Sequence, residues 1–208
     1  MSNTPLRPLL LAAGWTAIVK VLPYALNRFG LSLDAESSIY PWNFSPLVAL
    51  AVVGGYHLPR LSQAVALPVL GWFLADLFLL TLIPLEWVVY PGLVFTYAAM
   101  AAAAACGRFG SRAGTPGLVA SSVAGVLIFF AVSNFGVWAT GAFGLYSRDL
   151  AGLVQCYEAA LPFLRNSVVA TACFVPLLAV TTQPQPATAG RPSLTEDAFG
   201  APSPDRAA

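Results

Sequence analysis

Long apolar runs set the first limit on what this chain can fold into. They recur between residues 8 and 180, most of them close to the roughly 20 residues that a helix needs to cross a bilayer. In hydrocarbon every backbone N–H and C=O must find a partner within the chain, so such runs form helices. The spans fall at residues 8–26, 45–57, 62–83, 87–106, 116–138 and 159–180. The second is short, and its Gly54-Gly55 pair predicts an end, a kink or a partial crossing. Only 9% of the residues are charged, against roughly a quarter in an ordinary globular domain. So few charges cannot cover the outside of a water-soluble fold of 208 residues. The expected fold is all-α: a polytopic membrane protein of about six transmembrane helices over residues 1–180. A Pro-, Ala-, Ser- and Thr-rich segment, residues 181–208, is expected to be a disordered cytoplasmic tail.

Several function classes fall away on residue types alone. One His and three Cys without a C-x-x-C pair give no metal cluster and no His-based triad. No phosphate-cradling G-x-x-x-x-G-K-[ST] loop and no G-x-S-x-G elbow occurs. Only one carboxylate, Asp76, lies deep in a span, so no pair exists for acid–base hydrolysis. No enzyme, catalytic residue, metal or resident cofactor is expected. No basic run tracks phosphates, which excludes nucleic acid as a partner. Lys20 interrupts the N-terminal apolar run and no small-x-small cleavage site follows, so that run reads as an uncleaved first span.

Arginine placement orients the spans. With the N-terminus in the cytosol, Arg7, Arg60, Arg108, Arg112, Arg191 and Arg206 all fall inside, and only Arg28 and Arg148 fall outside. Asp34, Glu36, Glu86, Asp149 and Glu158 gather on the outer side with both long loops. Both termini are therefore expected in the cytosol, with a binding site open to the exterior.

Asp76 is the sharpest single residue. A carboxylate at that depth costs roughly 3 kcal/mol on insertion scales, so it faces inward and has a partner. It is a ligand for substrate or ion, a proton carrier, or the partner of Lys20. Asn43, next to Ser45 and Pro46, stands where the second span opens. Ser45 is expected to cap that helix, leaving Asn43 and Trp42 to line an outer pocket. Asn134 and Trp138 close the fifth span, either as the wall for a flat ligand or as an interfacial aromatic belt. Trp87 and Tyr90 lie beside Glu86 at the same level. Tyr157, Glu158 and Asn166 enter the last span with Arg165. The set proposed for substrate is thus Asn43, Asp76, Trp87, Tyr90, Asn134, Trp138, Tyr157, Glu158 and Asn166. Ala13 and Ala17, on one side of the first span, allow close approach of another helix and are candidates for docking a partner.

Several segments together resemble a family of uncharacterised bacterial integral membrane proteins. They are residues 20–23 (KVLP), 43–46 (NFSP) with Gly54-Gly55, 75–78 (ADLF), 133–138 (SNFGVW), Cys156-Tyr157, and 161–163 (LPF) with Asn166. That family is similar in size and six-helix plan to the S components of energy-coupling-factor transporters. The resemblance implies a bacterial inner-membrane subunit that captures a vitamin-like molecule or a metal from outside. It further implies partners: a membrane coupling protein, met by small residues of the first helix such as Ala13 and Ala17, and ATPase subunits. The chain departs from the pattern in an insertion at residues 26–40, which would reshape a lid, and in Ala75 where Ser is expected. Two other readings stand beside uptake: a self-sufficient ion- or proton-coupled carrier using Asp76, and a membrane assembly protein without a ligand.

Overall fold

A computed structural model describes residues 6–31 and 43–182. Among them are seven α-helices: α1 Leu6–Arg28, α2 Leu47–His57, α3 Leu61–Leu79, α4 Leu85–Val88, α5 Leu93–Gly110, α6 Gly114–Thr140 and α7 Leu150–Thr182. No strand occurs among the described residues. The expected tail from residue 183 onward, and the expected insertion from residue 32, lie outside them.

Four stretches are long and apolar enough to cross a membrane: Leu6–Arg28, Leu61–Leu79, Leu85–Thr140 and Leu150–Thr182. The third is folded back on itself. Gly110 meets Gly117, Ala103 meets Gly125 and Phe95 meets Gly136, a register that only antiparallel helices give to α5 and α6. Gly54 against Ala64 makes α2 antiparallel to α3. Ala13 against Gly71, and Lys20 against Asp76, make α1 and α3 parallel. Tyr157 bonds Ala131 while Thr171 and Val126 border one cavity, so α7 returns along α6. One end of the bundle therefore holds the start of α1, the end of α7, and Arg60, Arg108 and Arg112. The other end holds Arg28, Glu86, Arg148, Asp149 and Glu158.

The outer face of the bundle is apolar where that of a water-soluble one is polar, and several polar side chains are buried within its apolar core. Thr16, Asp76, Thr96, Ser121, Ser122, Asn166 and Thr171 are buried, while Leu10, Leu11, Phe73, Leu77, Phe78, Val123, Leu127 and Leu177 are exposed. Lipid is as apolar as those side chains, so the outer face needs no cover. The buried hydroxyls bond to their own helix one turn back: Thr16 to Ala12, Ser121 to Gly117, Ser122 to Leu118. That answers the demand for internal partners where water is excluded.

The short α2 is the central post, with nine of its 11 residues buried. Apolar on every side, it suits a helix walled by protein. Small residues bring its neighbours to backbone contact. A Cβ at Gly55 would collide with the Ala104 carbonyl, and one at Gly107 with the Val52 carbonyl. Arg108 of α5 donates to the carbonyl of Leu58, just past the end of α2, and so pins that turn.

Three expectations need correction. Ala13 does not face outward: it is 4% exposed and its backbone lies against Gly71 of α3. Ala17 is half-buried. The fourth span starts later than residue 87, because Pro91-Gly92 separate the single turn α4 from α5. The last helix starts at Leu150 rather than 159, because Asp149 accepts from the Gly152 N–H at 2.8 Å and caps its first turn.

Candidate functional site

A cavity of about 370 Å³ opens in the half of the bundle away from Arg60 and Arg108. A second lobe of about 190 Å³ adjoins it, sharing Asn43, Ser45, Trp72, Tyr90, Asn134, Val137 and Phe163. Each wall comes from a different helix, so the site forms only when the bundle does.

The charged floor joins α1 to α3. Lys20 donates to Oδ1 of Asp76, and its Nζ stands 3.5 Å from the centroid of the Trp72 ring. Asp76 is 7% exposed. Its second oxygen, Oδ2, is buried without a hydrogen-bond partner, as is the indole Nε1 of Trp72. Trp72 and Asp76 are four apart on α3, hence one turn apart on one face.

Aromatic rings make another part of the lining. Phe143 stacks on Trp87 with centroids 4.7 Å apart and planes at 10°, and it tilts against Tyr90 at 4.9 Å. Phe143 holds φ at 65°, a left-handed value that a bulky side chain rarely takes. Gly141 and Gly144, also at positive φ, bracket it and let the loop after α6 turn the ring over the cavity.

Amides and hydroxyls complete the lining. Asn134 gives one amide hydrogen to the Phe130 carbonyl at 2.8 Å and borders both lobes. Asn43, at φ 55°, stands at the mouth. Ser45 is not the cap of α2: Pro46 holds that position, with no side-chain cap bond, and Ser45 borders the cavity instead. Tyr90 shares a 3.4 Å hydrogen bond with Thr96.

Of the nine residues expected at the site, Asn43, Asp76, Trp87, Tyr90 and Asn134 converge here. Four do not line either lobe. Trp138 donates its indole N–H to the Ser147 carbonyl at 3.0 Å, bracing the loop outside the site. Tyr157 donates to the Ala131 carbonyl at 2.7 Å and ties α7 to α6. Glu158 lies exposed on α7. Asn166 is fully buried and accepts from Arg165 Nε at 3.2 Å. Sequence reasoning named Lys20 and Ser45 in other roles and passed over Tyr24, Trp72, Phe143, Tyr146 and Phe163. The i, i+4 spacing of Trp72 and Asp76 was the signal that pointed to one of them.

Residues 2–186 match the profile of one protein family. The chain belongs to DUF6580, a family of unknown function. No curated protein and no solved structure matches it. A larger groove, about 610 Å³, runs along α6 and α7 past Val123, Leu127 and Val175. Its walls are mainly aliphatic, with Tyr56, His57, Thr115, Ser122 and Thr171 as its polar members, and Ser122 already bonds to its own helix.

Proposed function

We propose that this chain is a six-crossing protein of the bacterial cytoplasmic membrane that captures a small organic molecule from the exterior for uptake. On this reading α1, α2, α3, α5, α6 and α7 are the six passes, the second of them shortened inside the bundle. The arginine-bearing end faces the cytosol by the positive-inside rule, which turns the cavity to the outside. The single observation that carries the reading is the cavity of about 370 Å³, where aromatic rings from separate elements surround a few convergent polar groups. That is the make-up of a small-molecule site. The plan is similar to that of transporter S components, and on that likeness a membrane coupling protein and ATPases supply the energy.

The test has two arms. Protein purified in nanodiscs is denatured, and released small molecules are read by mass spectrometry. Wild type should carry a molecule that Val137→Trp, which fills the space between the lobes, lacks. A folded V137W protein that retains the same molecule overturns the site. For orientation, Glu158→Cys should react with an impermeant maleimide in intact cells, and Arg60→Cys only after permeabilisation. The reverse pattern overturns capture from outside.

A second reading, an ion- or proton-coupled carrier, has one observation on its side: the unpartnered Oδ2 of Asp76. Gradient-driven uptake by this chain alone in liposomes would select it.

A further inference from the structure

The charge balance of the cavity restricts what can occupy it. Among the described residues that line either lobe, only Lys20 and Asp76 carry charge. They are bonded to each other, and the Trp72 ring lies against the ammonium. No unneutralised charge is left to meet an ion. Bringing a carboxylate or an ammonium into this site would leave that ion without a counter-charge or would break the pair. Both are costly where water is scarce.

Uncharged hydrogen-bonding groups, by contrast, are part of the lining. The amides of Asn43 and Asn134 and the hydroxyls of Ser45 and Tyr90 border both lobes. The Trp87–Phe143 stack belongs to the same lining and suits a flat ring.

We propose that the cavity takes an uncharged, planar heteroaromatic molecule, held by hydrogen bonds to the amides and hydroxyls of its lining. The inference rests on the capture reading and narrows its ligand class. The Lys20–Asp76 pair then acts as a charge filter: it holds both signs in place so that neither is offered to an ion.

A matched set of indoles tests the filter. Indole-3-acetamide is neutral, indole-3-acetate is an anion and tryptamine is a cation, all on one ring. Binding to the full chain in nanodiscs is followed by calorimetry, with Val137→Trp marking which heat belongs to the cavity. Wild type should bind the amide, and each charged member at least roughly tenfold more weakly. Asp76→Asn, which leaves Lys20 alone, should move the preference to indole-3-acetate. Lys20→Met should move it to tryptamine. The double variant, free of the folding burden of a lone charge, should keep the preference for the amide. A charged member that binds wild type as tightly as the amide, through Val137, overturns the filter and leaves the capture site standing. An order that stays the same in both folded single variants also overturns it. Failure of all three to bind at millimolar concentration overturns it too, whatever molecule co-purifies.

Discussion

Phe143 pays a conformational cost for its place in the wall. A left-handed backbone costs a residue with a Cβ about 1–2 kcal/mol, and glycine almost none. Its stack on Trp87 returns about 0.5–1.5 kcal/mol. Two truncations separate these effects, because both lose the ring and only one keeps the Cβ. Phe143→Gly should be more stable than Phe143→Ala by about 1 kcal/mol in thermal unfolding in detergent. Equal stability would mean that the positive φ at 143 is not held in the folded protein. The buried pair at the floor behaves oppositely, since each partner is what makes the other tolerable. Lys20→Met or Asp76→Asn alone should destabilise by about 3 kcal/mol, and the double variant by clearly less than the sum. Additive losses in that cycle would deny the contact. The pair also shows what a sequence can tell at this scale. Two lone charges in separate apolar runs are legible as partners, because hydrocarbon leaves them few others. The Trp72 ring against the ammonium was not legible, since aromatic residues in a span usually face lipid or pack with their neighbours.

Element ends were the less legible part of the fold. Residues 150–158 read as loop because Glu158 and Gln155 interrupt the apolar run. They are helix, because Asp149 caps the first turn and those polar side chains point away from the bundle. Asp149 accepts first from the Gly152 amide and then from the Ser147 hydroxyl at 2.7 Å, and both hold its carboxyl below the ordinary 3.8. A depressed folded value means the cap contributes fully above the unfolded pKa and fades as pH falls through the lower folded one. Asp149→Ala should therefore lower the unfolding temperature at neutral pH, and the gap from wild type should close under strongly acidic conditions, below the usual carboxylate range. A gap that persists unchanged in acid would assign the effect to something other than the ionised cap. Tyr157 and Glu158 misled for the same reason. Two polar residues at the start of a span look like site residues when the span is thought to begin beside them. With α7 already a full two turns long there, Tyr157 is directed at α6 and Glu158 outward.

At the scale of the molecule, long apolar runs made the helices legible between residues 8 and 180, because such runs follow from the solvent around the protein rather than from contacts within it. The lining of the cavity follows from how six elements converge, and only part of it could be read in advance. The claim about solvent has its own decisive substitution. Leu127 lies on α6 with half its surface exposed and lines neither lobe. On a water-soluble protein, exchanging an exposed leucine for arginine is harmless and often improves solubility. In a bilayer the same exchange places a charge in hydrocarbon and costs roughly 3 kcal/mol of insertion. Leu127→Arg should thus lower the yield of protein in the membrane fraction and its unfolding temperature in nanodiscs, while Leu127→Phe leaves both unchanged. The comparison is sharp because the two environments predict opposite signs for one exposed side chain, and because Leu127 has no place in the cavity whose loss could mimic the result. A Leu127→Arg protein that accumulates in soluble, folded form would remove the bilayer, and with it the reason for the apolar outer face of the bundle.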